Sequence, residues 1–255
     1  MAARAAQEPH YTPFYCEENV YQLLASLERS SRFSRSFAVF VSNPERHALL
    51  FEQQASRQGA EQGHYVVWDY HVVAVAVERA GVELDRVGAE RVVLLDRDSR
   101  LGAEVPLHDY VARTFRPDLF ESCILEPSLR SRFRVVPAET FLESFASDRS
   151  HMLAPASTAA DAAALPSSHS PRPDPPARPA QYLKPVPPYP PICGTAAAAR
   201  GATHNLWTRF LDVRLPRERE RGPSAGSATE ESGYGRVLEG VDELLAYSWR
   251  GCEEV

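Results

Sequence analysis

Three residues whose types support thiol chemistry occur along this sequence in the order cysteine, histidine, aspartate. Cys16 begins a stretch with helical spacing, His71 lies inside an apolar run, and Asp96 follows the next apolar run. A thiol needs a nearby imidazole to become a thiolate, and the imidazole needs an acceptor on its other nitrogen to hold its tautomer and direction. These types in this order indicate a nucleophile, a base and an orienting carboxylate, although many chains contain one residue of each type.

An amphipathic helix sets the position of Cys16. Its apolar side chains fall at i, i+3, i+4 and i+7 and are Val20, Leu23, Leu24 and Leu27. Cys16 lies one turn earlier, at the first turn or the N-cap, where free backbone N–H groups and the helix dipole favour a thiolate. Glu17 and Glu18 complement the same dipole but oppose a thiolate if they face it. The alternative role for Cys16 is that of a small buried apolar residue.

His71 lies in a stretch rich in β-branched and aromatic residues, 66–75, that predicts one half-buried strand. Period-two alternation predicts Asp69 and His71 on one face of this strand and Trp68 and Tyr70 on the other. The histidine is then in a dry environment, where its ionisation depends on the partner it finds. Its alternative role is a core histidine that is satisfied by a backbone carbonyl.

A carboxylate that could reach His71 follows the next predicted strand, 91–95. Asp96 and Asp98 come directly after this strand, and residues 78–91 are interpreted as a hairpin connection or loop. If the two strands pair as a hairpin, one of these carboxylates lies beside the histidine. Turn formation is the alternative role for both aspartates.

The remaining patterns predict a mixed chain of strands and helices. Strands are predicted at 36–42 and 133–136, and helices at 107–115, 138–145, 205–213 and 237–249. Asp148 and Arg149 follow the helix at 138–145, and we interpret them as a structural ion pair rather than as catalytic groups.

Composition indicates one catalytic domain, residues 11–255, with looser segments inside it and before it. Residues 1–10 are predicted to be a loose tail, and about 214–232 a flexible charged loop rich in Gly and Ser. Proline, alanine and serine dominate about 153–184, which cannot bury enough apolar surface to order itself and is predicted to be a disordered insertion. The PVPPYPP run at 185–191 indicates a rigid polyproline connector, with an SH3-type ligand as the alternative.

Charge and hydropathy argue against several functional classes. The net charge of −6 and the scattered basic residues indicate no nucleic-acid surface. The first residues lack an apolar signal region, and no stretch approaches the ~20 apolar residues of a membrane span. We therefore expect an intracellular monomer, in the cytoplasm with the nucleus as a second compartment.

The cysteines are expected to be free thiols, because the chain lacks a secretory signal. There are four of them, far apart in the sequence, at Cys16, Cys123, Cys193 and Cys252. No C-x-x-C or H-x-x-x-H pair occurs, so the sequence predicts no structural zinc site. We expect no metal and no cofactor.

Four longer motifs carry a resemblance to a known family. They are Tyr15-Cys16-Glu17-Glu18-Asn19, AVFVSN at 38–43, Trp68-Asp69-Tyr70-His71-Val72 and FASDRSHM at 145–152. In these strings the chain resembles the WDYHV family of protein N-terminal glutamine amidohydrolases. The resemblance covers essentially residues 11–152 and resumes in patches from 185 onward. A chance match to both WDYHV and FASDRSHM is remote.

The resemblance implies an α/β chain of the α+β kind with a papain-like or transglutaminase-like fold, in which an N-terminal nucleophile helix packs on a mostly antiparallel β-sheet. It implies conversion of N-terminal glutamine to glutamate with release of ammonia, which feeds the Arg/N-degron pathway and needs no cofactor. By motif, Cys16 is the nucleophile, His71 the base and Asp96 the orienting group, with Asp98 in reserve. The chain departs from the family pattern at Leu95, which replaces an aromatic residue, and in a lengthened connection from His71 to Asp96.

Substrates of such an enzyme are proteins or peptides with a free N-terminal glutamine, so the α-ammonium group must be recognised. Asp69, Glu17 and Glu18 are the candidates by proximity in the sequence, and a structural hydrogen bond is the alternative role for Asp69. Two other functions stay open. One is a related papain-like cysteine protease or transamidase, and the other is a catalytically silent module that binds N-terminal glutamine.

Overall fold

The computed structural model describes residues 9–79, 91–154, 181–219 and 233–249 of the 255-residue chain. The helices in these ranges are α1 Cys16–Leu27, α2 Leu107–Tyr110, α3 Pro117–Glu121, α4 Ala138–Ser144, α5 Thr195–Ala199, α6 Pro216–Arg219 and α7 Val241–Ala246. The strands are β1 Phe33–Ser42, β2 Ala48–Leu50, β3 Val66–Trp68, β4 His71–Glu78, β5 Val92–Leu95, β6 Glu104–Pro106, β7 Arg132–Pro137, β8 Ala146–Ser147, β9 Ile192–Cys193 and β10 Arg236–Leu238. Two π-helical turns are at Val111–Phe115 and Leu206–Phe210.

A six-stranded sheet in the order β10-β7-β1-β4-β5-β6 forms the centre of the fold. Each strand of this sheet pairs antiparallel with its neighbours. In the central pair, Val41 of β1 lies opposite His71 at the start of β4. Two small sheets, β2-β3 and β8-β9, lie outside it. The predicted α+β class with a mostly antiparallel sheet is therefore confirmed.

Alternate side chains of β4 enter two separate buried clusters, as the two-residue period of a strand requires. The cluster on the α1 side includes Val20, Leu24, Val72, Ala74 and Phe141. The cluster on the opposite side includes Val73, Val75, Tyr110, Phe115 and Trp249. Because β4 is buried on both faces, its residues 72–77 form an unbroken apolar run. The first cluster holds α1 against the sheet, so the predicted packing of the nucleophile helix on the sheet is confirmed.

The single strand predicted at 66–75 is wrong, because the chain breaks at Asp69 and Tyr70 into β3 and β4. The carboxylate of Asp69 accepts a hydrogen bond from the Tyr70 N–H at 3.0 Å, and the Asp69 carbonyl accepts one from the Ser42 hydroxyl at 2.8 Å. Such local bonds compete with the ladder bonds of a continuous strand. The break also overturns the predicted face of Trp68, whose ring stacks on the His71 ring with centroids 6.4 Å apart.

The single helix predicted at 237–249 is also wrong. Arg236–Leu238 forms β10, in which Leu238 pairs with Phe133 of β7, and Gly240 then has an extended backbone that starts the shorter helix α7. The edge of the central sheet thus captures residues whose local pattern is helical. The helix predicted at 205–213 is a single π-helical turn, anchored where the Asn205 side chain bonds to the Ala146 N–H at 2.9 Å.

Several predictions concern residues outside the described ranges, namely 1–8, 80–90, 155–180, 220–232 and 250–255, the last of which contains Cys252. The predictions of a single domain, of a disordered insertion and of flexible segments therefore stay predictions. Within the described ranges, no helix combines the length and the apolar character that crossing a membrane requires.

Candidate active site

A cavity of about 180 Å³ lies where α1 begins, beside the break between β3 and β4. Its walls are formed by Phe14, Cys16, Trp68, Asp69, Tyr70, His71, Asp98, His151, Met152 and Leu183. The predicted nucleophile and base therefore line the same cavity, together with two carboxylates. The 145–152 motif contributes His151 and Met152 to its wall.

Cys16 is the first residue of α1, so its predicted place at a helix start is confirmed. The chain that leads into the helix is fixed by Asn19, whose side chain accepts from the Thr12 N–H and donates to the Thr12 carbonyl, both at 2.8 Å. The first N–H groups of a helix have no acceptor within the helix. The thiol is thus held rigidly at an end that can stabilise negative charge.

The surroundings of the thiol nevertheless favour its neutral form. The Cys16 Sγ donates to Glu17 Oε2 at 3.7 Å. Burial raises the pKa of the Cys16 thiol well above its usual range, and the charges of Glu17, Asp98 and Asp69 raise it further, while the Val72 N–H opposes them. Burial and the carboxylates therefore oppose the thiolate that the sequence alone predicted from the helix start.

His71 and Asp96 form a buried pair, exposed by only 2% and 3%. The His71 Nε2 lies 3.1 Å from Asp96 Oδ1, while Asp96 also accepts from the Tyr110 hydroxyl at 2.7 Å and from the Asp98 N–H at 2.9 Å. Burial raises the pKa of Asp96, but the charge of His71 and these hydrogen bonds outweigh burial and lower it. An ionised carboxylate only accepts, so the His71 Nε2 carries a proton and Nδ1 is left for the thiol.

Asp96 also changes the pKa of His71. Burial lowers the pKa of His71, but the charge of Asp96 and its hydrogen bond more than offset this and raise it. The pair exists because β4 and β5 are antiparallel neighbours, with Ala74 opposite Leu95, so the next residue points toward His71. The predicted hairpin is present, and Asp96 rather than Asp98 bonds to the histidine.

Glu17 and Glu18 are adjacent in sequence and fully buried, but neither lines the cavity. Glu17 accepts from the Tyr70 hydroxyl at 3.1 Å, and its other oxygen lies 3.3 Å from the His151 Nε2. Glu18 forms two 2.8 Å bonds to the guanidinium of Arg149. Among the three candidates for the substrate ammonium, only Asp69 therefore reaches the cavity.

Arg149 connects three separate motifs of the sequence. Besides its two bonds to Glu18, its guanidinium donates to the carbonyls of Pro187, Tyr189 and Pro190 at 3.0–3.4 Å. The side chain is buried, at 4% exposure. The ion pair predicted between Asp148 and Arg149 is wrong, because Asp148 instead lies 3.3 Å from His204. Arg149 thus ties the polyproline run and the 145–152 motif to α1.

Similarity to known proteins identifies the family of this chain. The profile of a family described as N-terminal glutamine amidase matches residues 11–242. The chain belongs to this family. A relative in Drosophila ananassae, named protein N-terminal glutamine amidohydrolase, is 34% identical over 211 residues, which is 77% of this chain and 84% of the relative. The relative of the same name in Drosophila melanogaster is 36% identical over 184 residues, or 71% of each chain.

Membership in the amidase family confirms the resemblance carried by the WDYHV and FASDRSHM strings and assigns the chain to hydrolases of amides. The matched region spans the residues that line the cavity, from Phe14 to Leu183. Three of the four motifs, those that contain Cys16, His71 and His151, are far apart in this amidase sequence and meet at one cavity.

Among the described residues of this amidase, one group of side chains could hold a metal ion. It consists of His71, Asp96 and Asp98. One ligand atom of each lies within 4.8 Å of the others. The His71 Nε2 already donates to Asp96, and Asp98 accepts from the Tyr11 hydroxyl. These side chains are thus already bonded to protein groups, and the prediction of no metal or cofactor stays a prediction.

We expect Glu17→Gln to lower the pKa of Cys16, because the variant removes a negative charge 3.7 Å from Sγ. The midpoint of the pH dependence of Cys16 alkylation by iodoacetamide should fall by about one pH unit or more. Peptide mass spectrometry separates Cys16 from the exposed Cys123 and Cys193. Glu139→Gln, an exposed change on α4, is the control and should leave the midpoint in place. An unchanged or raised midpoint in Glu17→Gln would show that the charge of Glu17 does not raise the pKa of Cys16.

Proposed function

We propose that this amidase converts glutamine at the N-terminus of proteins and peptides into glutamate, with release of ammonia, by a Cys16–His71–Asp96 mechanism. The observation that carries the proposal is the cavity itself. It is lined by a thiol at a helix start and by a histidine whose far nitrogen is bonded to a buried carboxylate. Family membership and the names of the relatives support the choice of substrate.

The first half of the reaction forms a thioester. His71 Nδ1 takes the proton of the Cys16 thiol while Sγ attacks Cδ of the glutamine side chain. The raised pKa of His71 makes it a stronger base for this step. Collapse of the tetrahedral intermediate breaks the C–N bond, and His71 returns its proton to the departing nitrogen, which leaves as ammonia. The enzyme then carries a γ-glutamyl thioester on Cys16.

The second half releases the product. Water attacks the thioester carbon while His71 Nδ1 removes its proton, the C–S bond breaks, and the proton returns to Sγ of Cys16. The product is an N-terminal glutamate. Asp96 holds the His71 ring in the same orientation through both halves and stabilises the imidazolium form.

The oxyanion of both tetrahedral intermediates needs two donors. The backbone N–H of Cys16, at the start of α1, is the first that we propose. The indole N–H of Trp68 is the second, because it is buried, lacks a hydrogen-bond partner among the described residues, and belongs to a cavity wall.

The cellular setting is proposed from the sequence. The family resemblance supports delivery of the N-terminal glutamate product to the Arg/N-degron pathway. We propose that the enzyme acts as a monomer in the cytoplasm, with the nucleus as a second compartment.

The test is ammonia release from two peptides of identical sequence, one beginning with free glutamine and one with N-acetylglutamine. We expect release from the free peptide alone, with the peptide backbone intact by mass spectrometry. Cleavage of the backbone would indicate a papain-like protease, and incorporation of an added primary amine would indicate a transamidase. Binding of the free peptide without ammonia release would indicate a silent binding module.

A further inference from the structure

We infer that Asp98 accepts the α-ammonium group of the substrate glutamine and thereby restricts the reaction to free N-termini. The inference rests on the proposed function and deepens it. A chain terminus differs from an internal glutamine by its free ammonium group, and a carboxylate in a partly dry cavity is the protein group that pairs best with an ammonium.

The first support is the location of Asp98. Its side chain lines the cavity together with the Cys16 thiol and His71. One carboxylate oxygen lies within 4.8 Å of a ring nitrogen of His71. In an extended glutamine the ammonium nitrogen is about 5 Å from Cδ, by ordinary bond lengths. Because Cys16 and Asp98 line the same cavity, the inferred pose presents Cδ to Sγ with the ammonium group toward Asp98.

The second support is the set of groups that contact the Asp98 carboxylate. Asp98 forms no salt bridge with any side chain in the described ranges, and its bonded partner is the neutral Tyr11 hydroxyl, which donates to Oδ1 at 2.5 Å. The neighbouring Arg97 donates instead to the Pro9 carbonyl at 2.7 Å and lies over the Tyr11 ring. Burial raises the pKa of Asp98, and the charge of Asp96 adds to this, while the charges of His71 and Arg97 and the Tyr11 hydrogen bond offset it only in part. A cation that enters the cavity would therefore stabilise the ionised form of this half-buried carboxylate.

The third support comes from comparison with Asp69, the other carboxylate in the cavity wall. Asp69 is exposed, and its Oδ1 is already engaged by the Tyr70 N–H. Solvent screens an ion pair at such a position. Asp98 is less exposed and is oriented by Tyr11 from the N-terminal segment, so it is the better acceptor.

An ion pair between the substrate ammonium and Asp98 would also change the pKa of the Cys16 thiol. The negative charge of Asp98 is among the causes, after burial and Glu17, that raise the pKa of Cys16. A substrate ammonium cancels that charge and makes the thiolate easier to form. A peptide without the ammonium therefore loses chemical rate as well as affinity.

The experiment compares a glutamine peptide with its des-amino analogue, in which hydrogen replaces the α-ammonium group. For Asp98→Asn, we expect kcat/KM on the glutamine peptide to fall by about 100-fold, as for loss of one partner of a buried charge pair. The value on the des-amino peptide should not fall below that of wild type, because this peptide has no ammonium to lose and the variant removes a charge that raises the pKa of Cys16. Asp109→Asn, an exposed change on α2, is the matched control and should alter neither value.

Three outcomes would overturn the inference. They are an equal loss on both peptides, an unchanged preference for the ammonium in Asp98→Asn, and loss of the preference in Asp69→Asn instead. Absence of ammonia from the glutamine peptide with wild-type enzyme is a separate result that would overturn the proposed function. If turnover of the des-amino peptide is too slow to measure, the affinities of Cys16→Ala and Cys16→Ala/Asp98→Asn for both peptides, by calorimetry, provide the same comparison.

A second variant tests the inference even if Asp98→Asn fails to fold. Tyr11→Phe removes the hydroxyl that orients Asp98 and leaves its charge in place. Tyr11 is a positioning residue, so we expect the same selective loss on the glutamine peptide, at about tenfold. A Tyr11→Phe enzyme with wild-type preference for the ammonium would contradict the positioning role and count against Asp98.

Discussion

Replacement of Cys16 by alanine should abolish ammonia release from a glutamine peptide, with a loss in kcat on the order of 10⁵-fold or more. The reason is that the thioester intermediate cannot form without Sγ, and water in the cavity would have to attack the amide directly. Cys16 is only partly buried and contacts the core at its edge, so the variant should stay folded. The measurement is single-turnover ammonia release, together with the circular dichroism spectrum and the melting temperature.

Two further variants make the expected loss interpretable. Cys123→Ala changes an exposed cysteine that does not line the cavity and should keep full activity. Asp96→Asn keeps the size of the orienting group but removes its charge, and a loss of about 10³–10⁴-fold is expected because His71 is left in the wrong tautomer. Ammonia release by folded Cys16→Ala at more than a hundredth of the wild-type rate would exclude the thioester mechanism.

Replacement of Arg149 by methionine should lower the free energy of unfolding by about 3–5 kcal/mol, because Glu18 would be left as a fully buried charge without its partner. The variant also removes the donors to the carbonyls of Pro187, Tyr189 and Pro190. We therefore expect activity to fall at temperatures well below the unfolding transition, since these contacts hold the polyproline run against the 145–152 motif. Urea denaturation gives the free energy.

The matched control is an ion pair at the surface. Arg217 and Glu239 are bonded at 2.6 Å but are 65% and 48% exposed, so Arg217→Met should change the free energy of unfolding by less than about 1 kcal/mol. The double variant Glu18→Leu/Arg149→Met removes both buried charges and should recover a large part of the loss. A double variant that is no more stable than Arg149→Met would show that the buried charge of Glu18 is not the cause.

The spacing of apolar residues was enough to predict those helices and strands whose local pattern is not overridden by contacts with distant parts of the chain. The 3.6-residue period predicted α1, and apolar runs between turn residues predicted β1, β5 and β7, because burial of one stripe or of both faces dictates such patterns. The break between β3 and β4 could not be predicted in this way. It depends on the bonds that Asp69 makes with Tyr70 and Ser42, and Ser42 is remote in sequence. The capture of 236–238 by the sheet edge depends on β7 in the same manner.

By itself, the sequence determined the family, the α+β class and the identity of a cysteine, a histidine and an aspartate that could react, because residue types and short-range periods are local properties. Tertiary structure alone decided what each carboxylate does. Glu17 and Glu18 are adjacent, but successive helical residues point about 100° apart, so one faces the thiol and the other faces Arg149. Asp96 and Asp98 differ in the same way, since one bonds to His71 and the other lines the cavity. These roles depend on groups brought together from distant parts of the chain, and no local pattern records them.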